Sequence, residues 1–254
     1  MCQPVAAHLT GSHIKRIRLG MLTPSSNTAL EPLCASMISG LPEVSVHFAR
    51  FRVTQISLKQ HALGQFEFAP ILQAAQLLAD ARVDVIAWNG TAAGWLGFNR
   101  DEALCDAITR DTGIPACTSV LALNELMTRN NKRRFGLVSP YTPDVQERIV
   151  SNYTASGYTC VAERHLSLSV NFEFAEVLPA TLHDMARTVA TNGAQCVTTF
   201  CTNLRAAQLA SQLETDVGIT LYDTTSAAVW KCLQMTGVDT RRVKGWGRLF
   251  QENP

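Results

Sequence analysis

The chain has 254 residues, 22 basic against 21 acidic side chains, a formal net charge of +1 and 46% hydrophobic residues. A balance this near to neutral, with only Lys132, Arg133 and Arg134 clustered, lacks the positive footprint of nucleic-acid binding, and no apolar run approaches the roughly 18 residues that span a bilayer. Eight cysteines are scattered without a CxxC pair and no two histidines stand at ligand spacing, so reduced thiols and no metal are expected.

The first sixteen residues include His8, His13, Lys15 and Arg16 but no continuous apolar stretch of a secretory leader, which predicts a cytoplasmic protein. After them the chain alternates short β-rich apolar runs with longer helical patterns. The strand "IRLGML" leads to a helix from Thr28, then the strand "VSVHFARFRV" and the helix "APILQAAQLLADA". "VDVIAW" follows, with helices at "RDEALCDAITRDTG" and "TSVLALNELMTRN". The same rhythm resumes with "RFGLVS", the helix "DVQERIVSNYTASG", the strand "CVTTF", the helix "NLRAAQLASQLETDVG", and "VGITLYDTTS" leading into a last helical stretch. Strands spaced by helices predict an α/β protein with parallel sheets flanked by helices. The near-continuous apolar character of "VDVIAW", "RFGLVS" and "CVTTF" suits central strands covered on both faces.

The two halves read as copies of one module. "RLGMLTPSSN" (Arg18 to Asn27) resembles "RFGLVSPYTP" (Arg134 to Pro143), and the apolar run ending at "NGTAAG" resembles the one ending at "CTNLRA". This predicts two similar α/β domains, 1–128 and 129–254, related by a pseudo-two-fold around a central cleft, the last helix free to pack back on the first domain. At the matching point one copy carries Gly90 and the other Cys201, an asymmetry that suggests chemistry from one side of the cleft.

In open α/β sheets ligands bind beyond the carboxyl ends of strands, where helix N-termini present unpaired N–H groups. Cys201 falls at such a turn, placed for an acid, base or nucleophile, although a small buried hydrophobe is an equal reading of a free cysteine. Gly90 permits close backbone approach and Thr91 offers a hydroxyl and an N–H, while a tight turn with a capping threonine explains the same residues. "GTAAG" is no dinucleotide fingerprint, so no cofactor is expected. In "TPSSNTALE", Thr28 and Glu31 fit a capping box that leaves Ser25, Ser26 and Asn27 to donate to a ligand carboxylate. Tyr141 follows the matching strand of the second half and Asn171 is a lone polar residue before an aromatic pair, either of them a ligand contact or a local packing and capping feature. Cys196 and Cys232 lie in apolar periodic patterns that predict core, and packing is favoured for Cys117. The histidines stand in no motif.

With Gly90, Thr91, Tyr141, Cys201 and the ending "GWGRLF" in view, the chain resembles the aspartate/glutamate racemase superfamily, in the branch of arylmalonate decarboxylases and maleate cis-trans isomerases, from Ile17 to Phe250. The resemblance implies two α/β domains around a small carboxylate substrate and cofactor-free chemistry through cysteines facing each other across the cleft. Racemases and maleate isomerases generally carry both cysteines, whereas arylmalonate decarboxylases keep only the second. Cys201 matches that second cysteine and Gly90 the glycine in place of the first, which looks decarboxylase-like. By the same resemblance Thr91 and Tyr141 hold the substrate carboxylate, with Thr202 beside them, and Ala92 stands where the decarboxylase pattern has a serine. "PSSN" and "SVNFEF" are more like maleate isomerase, whose carboxylate-holding asparagines map to Asn27 and Asn171.

The expected function is therefore a cofactor-independent enzyme that forms an enediolate from a small mono- or dicarboxylate and protonates it from Cys201. The alternatives are a maleate isomerase or a racemase-type isomerase, including the ectoine-utilisation type, and a non-catalytic carboxylate-binding regulator. The expected partner is the substrate alone, and assembly into a homo-oligomer stays open.

Overall fold

A computed structural model describes residues 15–190 and 193–252. Cys2, His8, His13 and nearly all of the segment read for a leader lie outside them. The first half runs β1 (Ile17–Pro24), α1 (Leu30–Met37), β2 (Val44–Phe51), α2 (Gln60–Leu63), α3 (Phe68–Asp80), β3 (Val85–Trp88), α4 (Ala93–Leu96), α5 (Phe98–Thr112), β4 (Ala116–Thr118) and α6 (Ser119–Arg129). The second runs β5 (Arg134–Ser139), α7 (Pro143–Ala155), β6 (Thr159–His165), α8 (Pro179–Val189), β7 (Cys196–Thr199), α9 (Ala210–Val217), β8 (Thr220–Asp223) and α10 (Thr224–Met235).

Each half forms a four-stranded, wholly parallel sheet, ordered β2-β1-β3-β4 in one and β6-β5-β7-β8 in the other. The identical order gives the internal repeat its structural meaning. The central strands β3 and β7 are buried along their whole length, as their unbroken apolar sequences require. One contiguous core joins the halves, from Leu19 and Ile86 to Phe200 and Trp230. A smaller cluster seats α8 and α9 on the second sheet through Met185, Val189, Val197, Leu213 and Leu221. Helix α10 is buried on nearly every side because it lies against α6, α1 and β3 of the first half as well as β8. Cys232 on this helix and Cys117 on β4 bring their sulfurs within 3.8 Å, and Cys196 is buried in β7, so all three are core residues.

Two local expectations need correction. The first helix starts at Leu30, and no Thr28–Glu31 capping box forms; Asn27 Oδ1 accepts from the Ala29 and Leu30 amides instead. Glu31 is drawn away to Arg50. The helix expected from Asn203 begins only at Ala210, after a short 3-10 turn at Ala207–Leu209. Residues 202–206 stay irregular because Asn203 is fully committed: its Oδ1 accepts from the Thr28 and Ala29 amides and its Nδ2 donates to the Asn171 carbonyl.

Candidate active site

The two sheets deliver their strand ends to one place. Trp88, the last residue of β3, pairs with Leu22, and the next amide, Asn89 N, donates to Leu22 O at 3.1 Å. In the second half Thr199, the last residue of β7, pairs with Val138, and Phe200 N donates to Val138 O at 2.8 Å. Gly90 and Cys201 each come two residues beyond their strand and one beyond that matching bond, so the alignment read from the repeat is also a structural equivalence.

A small cavity lies between these ends. The first half lines it with Pro24, Val53, Ile56, Phe66, Trp88, Gly90, Thr91, Ala92 and Trp95; the second lines it with Tyr141, Asn171, Cys201 and Thr202. Its free volume is about 20 Å³, room for one water. Among the described residues Cys201 is the only thiol in this lining, and the lining includes no histidine or carboxylate.

The polar groups in the cavity are few and linked. Thr91 Oγ1 and the Tyr141 hydroxyl lie 2.6 Å apart, a buried hydrogen bond between the two halves. Asn203 N donates to Cys201 Sγ at 3.4 Å, and the Tyr141 hydroxyl sits close enough to that sulfur to favour its ionised form. Burial pushes the Cys201 thiol up to about 12, against which Tyr141 and the Asn203 and Leu204 amides pull it down. Burial likewise holds the Tyr141 phenol well above its ordinary value. At neutral pH the pair is therefore a neutral thiol beside a neutral phenol, each able to donate.

Seven of the ten residues singled out from sequence converge here: Gly90, Thr91, Ala92, Tyr141, Asn171, Cys201 and Thr202. Ser25, Ser26 and Asn27 do not line the cavity. Ser25 and Ser26 both donate to the Val53 carbonyl, and Asn27 caps α1 while its Nδ2 reaches Thr202 Oγ1 at 3.4 Å. They tie the turn after β1 to the cavity wall. Thr202 Oγ1 donates to Asn89 O and Asn171 Nδ2 donates to Ser26 Oγ, so these two side chains join the halves at the rim.

Sequence reasoning missed the apolar side. Val53, Ile56 and Phe66 come from the connection between β2 and α3, where no motif marks them. Trp95 follows Thr91 by one helical turn, a spacing that puts both on one face and could have found it. Its Nε1 is buried without a partner. His47 contacts Ser45 and His165 contacts Glu163, both away from the cavity.

Other hollows are roomier, including one of about 320 Å³ beside Cys105 and Cys117. Its charged lining is Glu102, Asp106 and Glu125 against Lys231, which pairs with Glu125, so an anion would meet net repulsion there. No cluster of three or more His, Cys, Asp or Glu side chains able to hold a metal occurs among the described residues. No described helix is long and apolar enough to cross a membrane.

The comparisons with known proteins agree on one group. The family model for arylmalonate decarboxylase matches residues 27–250. A maleate isomerase from Geobacillus stearothermophilus is 23% identical over 237 residues, covering 89% of this chain and 94% of that protein. An arylmalonate decarboxylase from Bordetella bronchiseptica is 24% identical over 186 residues, covering 72% and 78%. The crystal structure of the maleate isomerase Iso from Pseudomonas putida S16 superposes with a TM-score of 0.86 at 22% identity, covering 94% of this chain and 99% of that one.

Proposed function

The chain belongs to the arylmalonate decarboxylase family, and from that premise we propose that it is a cofactor-independent decarboxylase of small malonate-type acids that protonates an enediolate from Cys201. The observation that carries this reading is the buried Thr91–Tyr141 hydroxyl pair beside the Cys201 thiol, in a cavity where the position matching Cys201 is Gly90.

The substrate takes the place of the mutual Thr91–Tyr141 bond: both hydroxyls turn onto a carboxylate, and the unpartnered Trp95 Nε1 in the same wall supplies a further donor. The bond to the second carboxylate then breaks. CO2 leaves, and the electron pair moves into the retained carboxylate, giving an enediolate whose oxygens these donors hold. Cys201 Sγ–H passes its proton to the carbon, and the thiolate left behind is held by Tyr141 and the Asn203 amide until water reprotonates it. An enediolate carbon is a far stronger base than a thiolate, so even a thiol pushed up to about 12 gives its proton downhill. The apolar wall of Val53, Ile56, Phe66, Trp88 and Trp95 suits a non-polar substituent and disfavours a departing carboxylate relative to the neutral CO2 it becomes. A cavity of one water's volume must widen to admit such an acid, and the β2–α3 connection in its wall is tied to the second half by only one antiparallel bridge among the described residues, Ile56 N to Ser169 O and Asn171 N to Thr54 O.

A maleate isomerase reading is favoured by Asn171 in the lining and by the relatives of that name. It needs a nucleophile to add to the double bond. Gly90 provides none, and Cys201 is held as the thiol, so decarboxylation is the better reading.

The test is an NMR screen in deuterated water with α-aryl and α-alkyl malonates, maleate, amino acids and their products, on wild type and C201A. The expected result is CO2 release from a malonate with one deuterium at the α-carbon, lost in C201A. Conversion of maleate to fumarate, or malonate turnover equal in C201A, contradicts the proposal.

A further inference from the structure

We infer that Trp88 is the residue that keeps the wall opposite in sequence to Cys201 free of a side chain, and so sets the reaction to a single acid. This rests on the reading of Cys201 as sole proton donor. The glycine at 90 is not there for its backbone: Gly90 is absent from the positive-φ residues, so an ordinary L-residue fits its conformation. It is there for space. A Cβ at position 90 would stand 2.0 Å from Trp88 Cζ2 and 2.5 Å from Cε2 and Cη2, far inside any real carbon–carbon contact. Trp88 closes β3, and its indole folds over the glycine two residues on.

That indole cannot easily step aside. Trp88 is 2% exposed, and its ring lies against Phe51 at 5.0 Å between centroids. In the second half the position matching Trp88 is Thr199, a small side chain turned to Asp223 Oδ2 at 2.7 Å, and there the residue two places on is free to be cysteine. The repeat thus exchanges a large residue followed by none for a small residue followed by a thiol. Trp88 fills the volume that a second thiol would occupy, and a second acid can be installed only if position 88 shrinks.

The experiment is a double-mutant cycle read two ways. In thermal unfolding, G90A in the wild-type background should lower Tm by ~5 °C or more, and in a W88T background by less than half of that. W88L serves the same purpose if W88T does not fold. Equal losses in both backgrounds overturn the inference. In deuterated water, G90C alone should leave the α-proton of a chiral monocarboxylate product unexchanged, while W88T/G90C should exchange it at least ~10-fold faster than W88T. Exchange by G90C alone as fast as by the double variant, or none in a folded double variant whose W88T parent still turns over, also overturns it. A wild-type protein that decarboxylates no malonate sinks the proposed reaction, whereas the stability cycle judges Trp88 independently.

Discussion

The ends of β3 and β7 are one structure with two chemistries. Both leave their sheet by the same strand-end hydrogen bond, yet one arrives at Gly90 under an indole and the other at Cys201 beside a phenol. In the proposed reaction the first end contributes shape and a hydroxyl, and the second contributes the proton. Duplication supplied the frame, and the division of labour resides in the few residues past each strand.

The largest expected effect comes from removing the second end's thiol. C201A should lower kcat roughly a thousandfold with KM changed less than a few-fold, since a positioned general acid contributes on the order of 10²–10⁴. A kcat within threefold of wild type makes the two ends equivalent and breaks the comparison. Next is the phenol that touches both ends. Y141F leaves the packing with Trp95 and Phe174 in place and should cost about 100-fold in kcat, with T91V somewhat less, because each deletes one oxyanion donor. Since the Cys201 thiol is pushed up to about 12, the rate should show no alkaline fall from its ionisation below about pH 10, and an apparent pKa near 8 that disappears in C201S would contradict that environment.

Smaller effects concern stability. N27A removes the cap of α1 and the tie to Thr202, and should lower Tm by roughly 2–4 °C. Two buried carboxyls extend the comparison between halves. Asp223 is satisfied by Thr199 and by the amides of Thr225 and Ser226, whereas Asp101 keeps Oδ2 without a partner. Burial pushes Asp101 up to about 7. Its unfolded value is about 3.9, so the native state binds the proton more tightly and stability is lost as pH rises from about 4 to about 7. D101N should remove that loss, raising Tm by roughly 2–4 °C at pH 8 and by little at pH 4. An equal gain at both pH values is the outcome that fails.

Much of this was legible because it is local. The alternation of strands and helices, the burial of "VDVIAW" and "CVTTF", and the alignment of Gly90 with Cys201 follow from periodicity and repeat. What sequence left hidden depends on distant partners. Asn27 looks like a free donor until Thr202 and the Ala29 and Leu30 amides take it up, and no pattern announces that Asn203 caps the same turn from 174 residues away. Trp88 reads as a strand residue, and only the folded chain shows its ring lying where a neighbour's side chain would be. Val53, Ile56 and Phe66 belong to a connection whose course no propensity dictates.

Delivery of the proton from one wall is tested most directly by the stereochemistry of the labelled product. A prochiral α-aryl-α-methylmalonate turned over in deuterated water should give a monocarboxylate with one α-deuterium and a single configuration. A racemic, deuterated product from the wild-type protein would mean that a second acid serves the other face, contradicting the account.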